Sequence, residues 1–182
     1  MRKPVAYITG AMFILLGVLG IAQTSKQLKV GKGGSPHDEL TATIAGKKIT
    51  ITYGRPFKKG RAIFGGLVPY GQVWRTGADE ATTFATEADL MIGSLHVPAG
   101  EYSLFTLPNE KEWTLVLNKT AKQWGAFKYD QKMDLGRVPM KVAAGGAPVE
   151  QLTITLQGTG GSNAVLKIAW DTVTASADLM VH

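Results

Sequence analysis

Cysteine is absent from the 182 residues of this chain, and histidine occurs only three times. The lack of cysteine excludes disulfides, thiolate zinc sites, thiol nucleophiles and lipid attachment at an N-terminal cysteine. Three histidines argue against a multi-histidine metal site. The chain also has no segment of a dozen residues with a helical stripe of apolar side chains, and this excludes a helical bundle.

The composition is that of one globular domain. Hydrophobic residues make up 45% and charged residues 19% of the chain, which is enough apolar mass for a core and rules out wholesale disorder. The 22 glycines and 8 prolines favour many short strands.

The N-terminus has the pattern of an export signal. Arg2 and Lys3 precede an uncharged run over residues 5–22, which ends on small residues and is followed by a polar stretch. This pattern predicts a signal peptide over residues 1–22, with an uncleaved membrane anchor as the alternative. The rest of the chain is then periplasmic or secreted, and without those two cations its net charge falls from +6 to +4. Scattered basic residues and an export signal argue against a nucleic-acid partner.

The remainder divides into a linker and a single domain. Residues 23–36 are polar and glycine-rich, and we predict a flexible tether there. Over residues 37–182, apolar side chains repeatedly alternate with threonine, serine or acidic ones, most clearly in 49–53, 152–156 and 173–181. Turn residues separate these runs at hairpin spacing, for example Ala45-Gly46. We therefore predict an antiparallel β-sandwich or jelly-roll-like fold of about nine or ten strands.

Residues 54–83 interrupt the alternation. This segment is rich in glycine yet also in large apolar side chains, so it must pack against the sheets as one long loop. It also carries three arginines and two acids. Guanidinium groups bind carboxylates, phosphates and sulfates in a bidentate manner, so we take as candidate ligand-binding residues Arg55, Arg61, Trp74, Arg75, Asp79 and Glu80. The alternative is a structural ion-pair network that holds the loop to the sandwich.

The motifs in and after this loop resemble an exported bacterial family known as domain of unknown function 2911. The resemblance is carried by Tyr53-Gly54-Arg55-Pro56, Lys59-Gly60-Arg61, Ile63-Phe64-Gly65, Leu67-Val68-Pro69-Tyr70-Gly71, the run from Trp74 to Thr82, the run from Pro98 to Phe105, and Gln123-Trp124-Gly125. It extends from about Ser35 to the C-terminus. The resemblance implies a compact β-rich exported domain, and it implies no substrate or catalytic residues.

Other chemistry-bearing residues have ordinary structural explanations. Asp79 and Glu80 are adjacent, so on a strand they would point to opposite faces, which argues against an acid/base pair that shares one bond unless the backbone turns there. His96 alternates with Leu95 and Val97 and is predicted to face solvent. His37 lies beside Asp38 at the end of the tether, but no ligand spacing accompanies it, so we predict no metal site and no cofactor.

From the sequence, we expect a binding module rather than an enzyme. Its ligand would be a small anionic or carbohydrate-like molecule or an envelope partner, bound through the 54–83 loop. One alternative is a hydrolase or isomerase that uses Asp79 or Glu80 as acid/base, with Arg61 and Arg75 orienting an anionic substrate. A second alternative is a structural or assembly protein with no small ligand.

Overall fold

The computed structural model describes residues 23–182, and these form an all-β structure of ten strands. The strands are β1 (Gln23–Val30), β2 (Pro36–Ile44), β3 (Lys47–Gly54), β4 (Thr82–Thr86), β5 (Leu90–Ile92), β6 (Leu95–Val97), β7 (Gly100–Pro108), β8 (Trp113–Asn118), β9 (Asp134–Gly160) and β10 (Asn163–Val181). A single turn of 3-10 helix, Gln131–Met133, precedes β9. The predicted signal peptide, residues 1–22, lies outside the described residues.

The strands form one antiparallel sheet in the order β1-β2-β3-β4-β7-β8-β9-β10-β5-β6, which does not close into a barrel. The predicted hairpin between β2 and β3 is confirmed, with Ile44 paired to Lys47 across Ala45 and Gly46. Both turn residues have positive φ, 49° and 75°, as the two-residue hairpin that matches strand twist requires.

The sandwich arises because β9 and β10 are long enough to serve two layers. The first part of β9 pairs with β8, whereas its later part pairs with β10, which in turn pairs with β5. Irregularities in the β9–β10 register mark where the ladder bends. The hydroxyl of Tyr53 in β3 accepts a hydrogen bond of 3.0 Å from the Ile154 amide in β9, so the two parts of the sheet meet. The predicted antiparallel all-β architecture is therefore confirmed.

The core lies between these layers, as the period-two patterns require. Ile49, Ile51 and Phe84 are completely buried, and they alternate with more exposed neighbours on β3 and β4. The largest buried side chains include Trp113 and Trp170, whose burial makes a strong apolar contribution to stability. Among residues 23–182 no helix is long and apolar enough to cross a membrane.

The prediction of a flexible tether over residues 23–36 is wrong for its first part. Residues 23–30 form the edge strand β1, which pairs antiparallel with β2. All eight side chains of β1 are exposed. Because neither face of the strand is buried, its sequence does not need an alternation of apolar and polar residues. Backbone hydrogen bonds to β2, rather than side-chain burial, hold this strand, and hydropathy gives no sign of them.

The long loop packs as predicted. Ile63, Val68 and Trp74 are almost completely buried in the same core cluster as the strands, and Phe64 packs against that cluster. The Trp74 ring stacks on Trp170 with centroids 6.0 Å apart, in an aromatic group that also contains Phe64 and Trp113. This packing gives the glycine-rich segment, and the arginines it carries, a fixed position on the sheet.

Candidate functional site

The loop and the β1–β2 turn enclose a concavity of about 550 Å³, which we call the arginine cleft. This volume lies within the usual range of small-molecule sites. Its titratable lining residues are Lys59, Arg61, Arg75 and Asp79, so three cationic side chains oppose one carboxylate. Phe57, Leu67, Val68, Trp74 and Trp170 provide the apolar part of the lining. The cleft can therefore accommodate an organic molecule with a negative charge.

Among these cations, Arg75 has a buried hydrogen-bond donor without a partner in residues 23–182. Its Nε is buried and has no hydrogen-bond partner, and its guanidinium forms no ion pair with any carboxylate of residues 23–182. Burial lowers the pKa of Arg75, and the charge of nearby Asp79 opposes that shift only in part. A buried donor without a partner costs free energy. Because Arg75 lines the cleft, an anion bound there could pair with its guanidinium.

The backbone around Arg75 is held rigidly. Trp74 exchanges two backbone hydrogen bonds with Thr106 of β7, of 2.8 and 3.0 Å. The Thr82 amide donates to the carbonyl of Arg75, and the hydroxyls of Thr76 and Thr106 lie 3.0 Å apart. Thr76 itself has a positive φ of 55°. The Thr106 hydroxyl contacts its side chain and the Thr82 hydroxyl donates to its carbonyl, and these two contacts stabilise that conformation. The guanidinium is therefore presented from a fixed main chain.

The other two arginines of the predicted cluster have different surroundings. Arg55 forms an ion pair of 2.6 Å with Asp38, and it also donates to the Leu152 carbonyl and the Thr153 hydroxyl. Arg61 donates to the carbonyls of Phe57 and Lys58 and remains exposed at the cleft. Arg55 is thus structural, since it ties β3 to β9, whereas Arg61 is free to approach a ligand.

Asp79 and Glu80 do not point to opposite faces, contrary to the expectation for a strand. Asp79 has a positive φ of 62°, so the chain turns between the two residues and both carboxylates face the ring of His37. Oδ2 of Asp79 lies 2.9 Å from Nε2 of His37, and Oε2 of Glu80 lies 3.5 Å from Nδ1. The other Glu80 oxygen accepts a hydrogen bond of 2.6 Å from Lys29.

The environment of Glu80 favours its ionised form. Burial alone would raise the pKa of Glu80, but the hydrogen bond from Lys29 and the nearby charges of Lys29 and His37 outweigh it, and the net shift is downward. Lys29 reaches Glu80 because it is paired with His37 across β1 and β2. Asp79 lines the arginine cleft, whereas His37 and Glu80 line a second concavity of about 420 Å³. The three side chains thus form the wall between the two concavities.

The glycine, arginine and aromatic motifs that shape this site lie within a segment that matches a sequence family. The family described as "Protein of unknown function (DUF2911)" matches residues 35–179, which include the whole 54–83 loop. The chain belongs to this family. No curated protein and no solved structure matches the chain. The family description names no ligand or reaction, so function has to be argued from the site itself.

The structure brings together only some of the predicted site residues. Arg61, Trp74, Arg75 and Asp79 line one cleft, Glu80 lies on the other side of its wall, and Arg55 is directed to Asp38. Trp74 is 8% exposed and contributes to the cleft from within the aromatic core. Sequence reasoning missed His37 as a partner of both acids. No local pattern pointed to it, because His37 and Asp79 are 42 positions apart.

Proposed function

We propose that this protein binds a small organic anion, carrying a carboxylate or phosphate group, in the arginine cleft. The observation that carries the proposal is Arg75, which lines the cleft without a carboxylate partner among residues 23–182 and whose buried Nε has no hydrogen-bond partner there. Native structures seldom leave such donors unsatisfied, and a bidentate anion is a natural partner for a guanidinium.

The surroundings of Arg75 support a ligand with a body as well as a charge. Lys59 and Arg61 add two exposed cations, which would steer an anion toward the cleft. The aromatic and aliphatic lining would contact the carbon skeleton, and the carboxylate of Asp79 could accept hydrogen bonds from its hydroxyl groups. A hydroxylated acid, such as a sugar acid or a sugar phosphate, combines these features. An export signal would place this binding in the periplasm or outside the cell.

The two alternatives have less support from the site. Acid/base catalysis by Asp79 or Glu80 would require a free carboxylate, but both are engaged with His37 and Lys29. An assembly role would use exposed apolar side chains, and Trp124 and Phe127 are 55% and 89% exposed. These two side chains make only a small apolar patch, and neither of them lines the arginine cleft.

A thermal-shift screen with matched ligands tests the proposal. The purified protein is heated with sugar acids and sugar phosphates, and in parallel with the neutral sugars from which they derive. A charged ligand at one hundred times its Kd would stabilise the folded state by about 2.7 kcal/mol and so raise the melting temperature. We expect a rise with at least one charged ligand and none with its neutral parent. An equal response to both, or no response across the screen, would overturn the proposal.

Two variants then locate the site by calorimetric titration of the responding ligand. Arg75→Gln is expected to weaken binding about 10- to 100-fold, since hydrogen bonds between charged groups contribute about 1.5–3 kcal/mol. Lys47→Gln removes the same charge at the other end of β3, about 23 Å along the strand from Gly54, and should leave affinity unchanged. Equal weakening in both variants would mean that net charge, rather than the cleft, governs binding.

A further inference from the structure

The wall between the two concavities contains three side chains of metal-ligating type. His37 comes from the start of β2, and Asp79 and Glu80 come from the long loop. One donor atom from each lies within 4.8 Å of the donor atoms of the other two. His37 is only 3% exposed although it occupies the outward-facing phase of β2, because the loop covers it. A buried imidazole between two acids is chemically distinct from a group of surface carboxylates.

The backbone is arranged to bring these groups together. Asp79 adopts the left-handed conformation, which costs a non-glycine residue roughly 1 kcal/mol or more. Its carbonyl accepts a hydrogen bond from the Gly125 amide, and the neighbouring Ala78 amide donates to Gly54, so the turn is held from two sides. Without this turn the two carboxylates would diverge, and only one of them could face His37.

Gly31 in the β1–β2 turn leaves room for the cluster. A Cβ at this position would lie 2.0 Å from Oδ2 of Asp79 and 2.9 Å from Nε2 of His37. Any side chain there would push the Asp79 carboxylate away from the imidazole. The absence of a side chain at Gly31 is therefore a geometric requirement of the contact between Asp79 and His37.

The cluster has more acceptors than donors. Oε2 of Glu80 is buried and has no hydrogen-bond partner within the described part of the chain, since Lys29 binds only Oε1. Its distance of 3.5 Å from Nδ1 of His37 is too long for a strong hydrogen bond. One donor atom from each of the three side chains lies within 4.8 Å of the other two, so a cation bound to one ring nitrogen of His37 could also bind the unsatisfied oxygen of Glu80.

We propose that His37, Asp79 and Glu80 form a binding site for a divalent first-row transition-metal ion, with Zn²⁺ as the reference ion. One imidazole and two carboxylates suit Zn²⁺ or Mn²⁺, whereas Ca²⁺ and Mg²⁺ prefer sites made entirely of oxygen. Three protein ligands leave a coordination position for water or for a group from an adjoining concavity. The site depends on neither the Arg75 guanidinium nor the proposed anion.

Calorimetric titration of the chelator-treated protein with ZnCl₂ tests this site. We expect one equivalent of Zn²⁺ per chain, and affinity at least tenfold lower in Glu80→Gln. His37→Asn should abolish the stoichiometric binding. Because Glu80 is 39% exposed at its side chain, Glu80→Gln is expected to remain folded even if the buried histidine variant does not, and circular dichroism checks both.

Two matched controls exclude surface binding and local disruption. His96→Asn removes an exposed histidine that lies 3.4 Å from Asp89 and close to His182, and it should bind Zn²⁺ as the wild type does. Gly31→Ala should weaken binding at least tenfold, whereas Gly33→Ala, whose Cβ would meet no atom of residues 23–182 within 4 Å, should not.

Cobalt provides a readout that a purely structural cluster would not give. At equal Co²⁺ concentration, Co²⁺ bound to this set of ligands should produce visible absorption that is weaker in Glu80→Gln than in wild type and unchanged in Arg75→Gln. Retention in Arg75→Gln keeps this outcome separate from that of the anion proposal. The metal site would be overturned if the wild type bound no stoichiometric Zn²⁺. It would also be overturned if His96→Asn abolished binding while Glu80→Gln left the affinity unchanged.

Discussion

The carboxylate of Asp79 lies 2.9 Å from Nε2 of His37, although the two residues are 42 positions apart in the chain. This contact joins the long loop to the start of β2 and fixes the wall that separates the arginine cleft from the second concavity. Arg75 lines the arginine cleft and forms no ion pair with a carboxylate of residues 23–182. The same loop supplies Asp79 and Glu80, which face His37 of β2.

The first prediction compares two arginines with different surroundings. Arg75→Met removes a half-buried cation whose buried Nε has no hydrogen-bond partner among residues 23–182, so we expect the free energy of unfolding to be unchanged or higher. Arg55→Met removes the partner of Asp38, whose side chain is 7% exposed, and should cost about 3 kcal/mol. Urea unfolding measures both. Equal losses would mean that Arg75 has a structural partner as Arg55 does.

The second prediction concerns the close approach of Gly54 and Ala78. A Cβ on Gly54 would lie 2.3 Å from the carbonyl oxygen of Ala78, and a backbone atom cannot move aside easily. Gly54→Ala should therefore destabilise the fold by about 1–3 kcal/mol and displace the loop. Gly146→Ala, where a Cβ meets no described atom within 4 Å, should cost less than about 0.5 kcal/mol, and thermal unfolding measures both variants. Similar losses in the two variants would contradict this packing.

The third prediction is a pH dependence at Tyr129. Burial and the carboxylate of Asp134, to which its hydroxyl donates, raise the pKa of Tyr129 from 10.0 to about 12. A raised pKa in the folded state stabilises the protein at pH values below 10, and this contribution is lost as the pH rises toward 12. Tyr129→Phe should be about 1 kcal/mol less stable than wild type at neutral pH.

The stability difference between wild type and Tyr129→Phe should shrink between pH 10 and 12, the interval given by the shifted pKa. Denaturant unfolding at a series of pH values measures it, and Tyr70→Phe, on a side chain 39% exposed, is the control. A constant difference across this interval would show that the phenol does not titrate in a manner linked to folding.

The strands could be predicted from sequence wherever one face is buried. Alternation over residues 49–53 and the turn at Ala45-Gly46 predicted β3 and its hairpin with β2, because both signals are local. The edge strand β1 could not be predicted in this way, since all its side chains are exposed and its stability comes from backbone pairing. The length of β9, which serves both layers, was also hidden, because bulges interrupt its alternation.

The sequence predicted which residues belong to the candidate site but not which of them contact one another. The loop 54–83 was identified from apolar side chains in a glycine-rich segment, and its packing is confirmed. The partners of Arg55, however, lie on β2 and β9, up to 98 positions away. Likewise, one positive φ at Asp79 decides whether two adjacent acids diverge or converge, and tertiary contacts from Gly125 and Gly54 set that angle.

The most direct measurement of the central claim is NMR of the arginine side chains in ¹⁵N-labelled protein. The Nε–H signal of Arg75 is followed during titration with inorganic phosphate and with glucuronate, and that of Arg137, already bonded to Asp134, is the internal control. We predict that the Arg75 signal shifts in a saturable manner at millimolar concentrations with at least one of these anions, whereas the Arg137 signal does not. An Arg75 signal that neither anion moves would contradict the account.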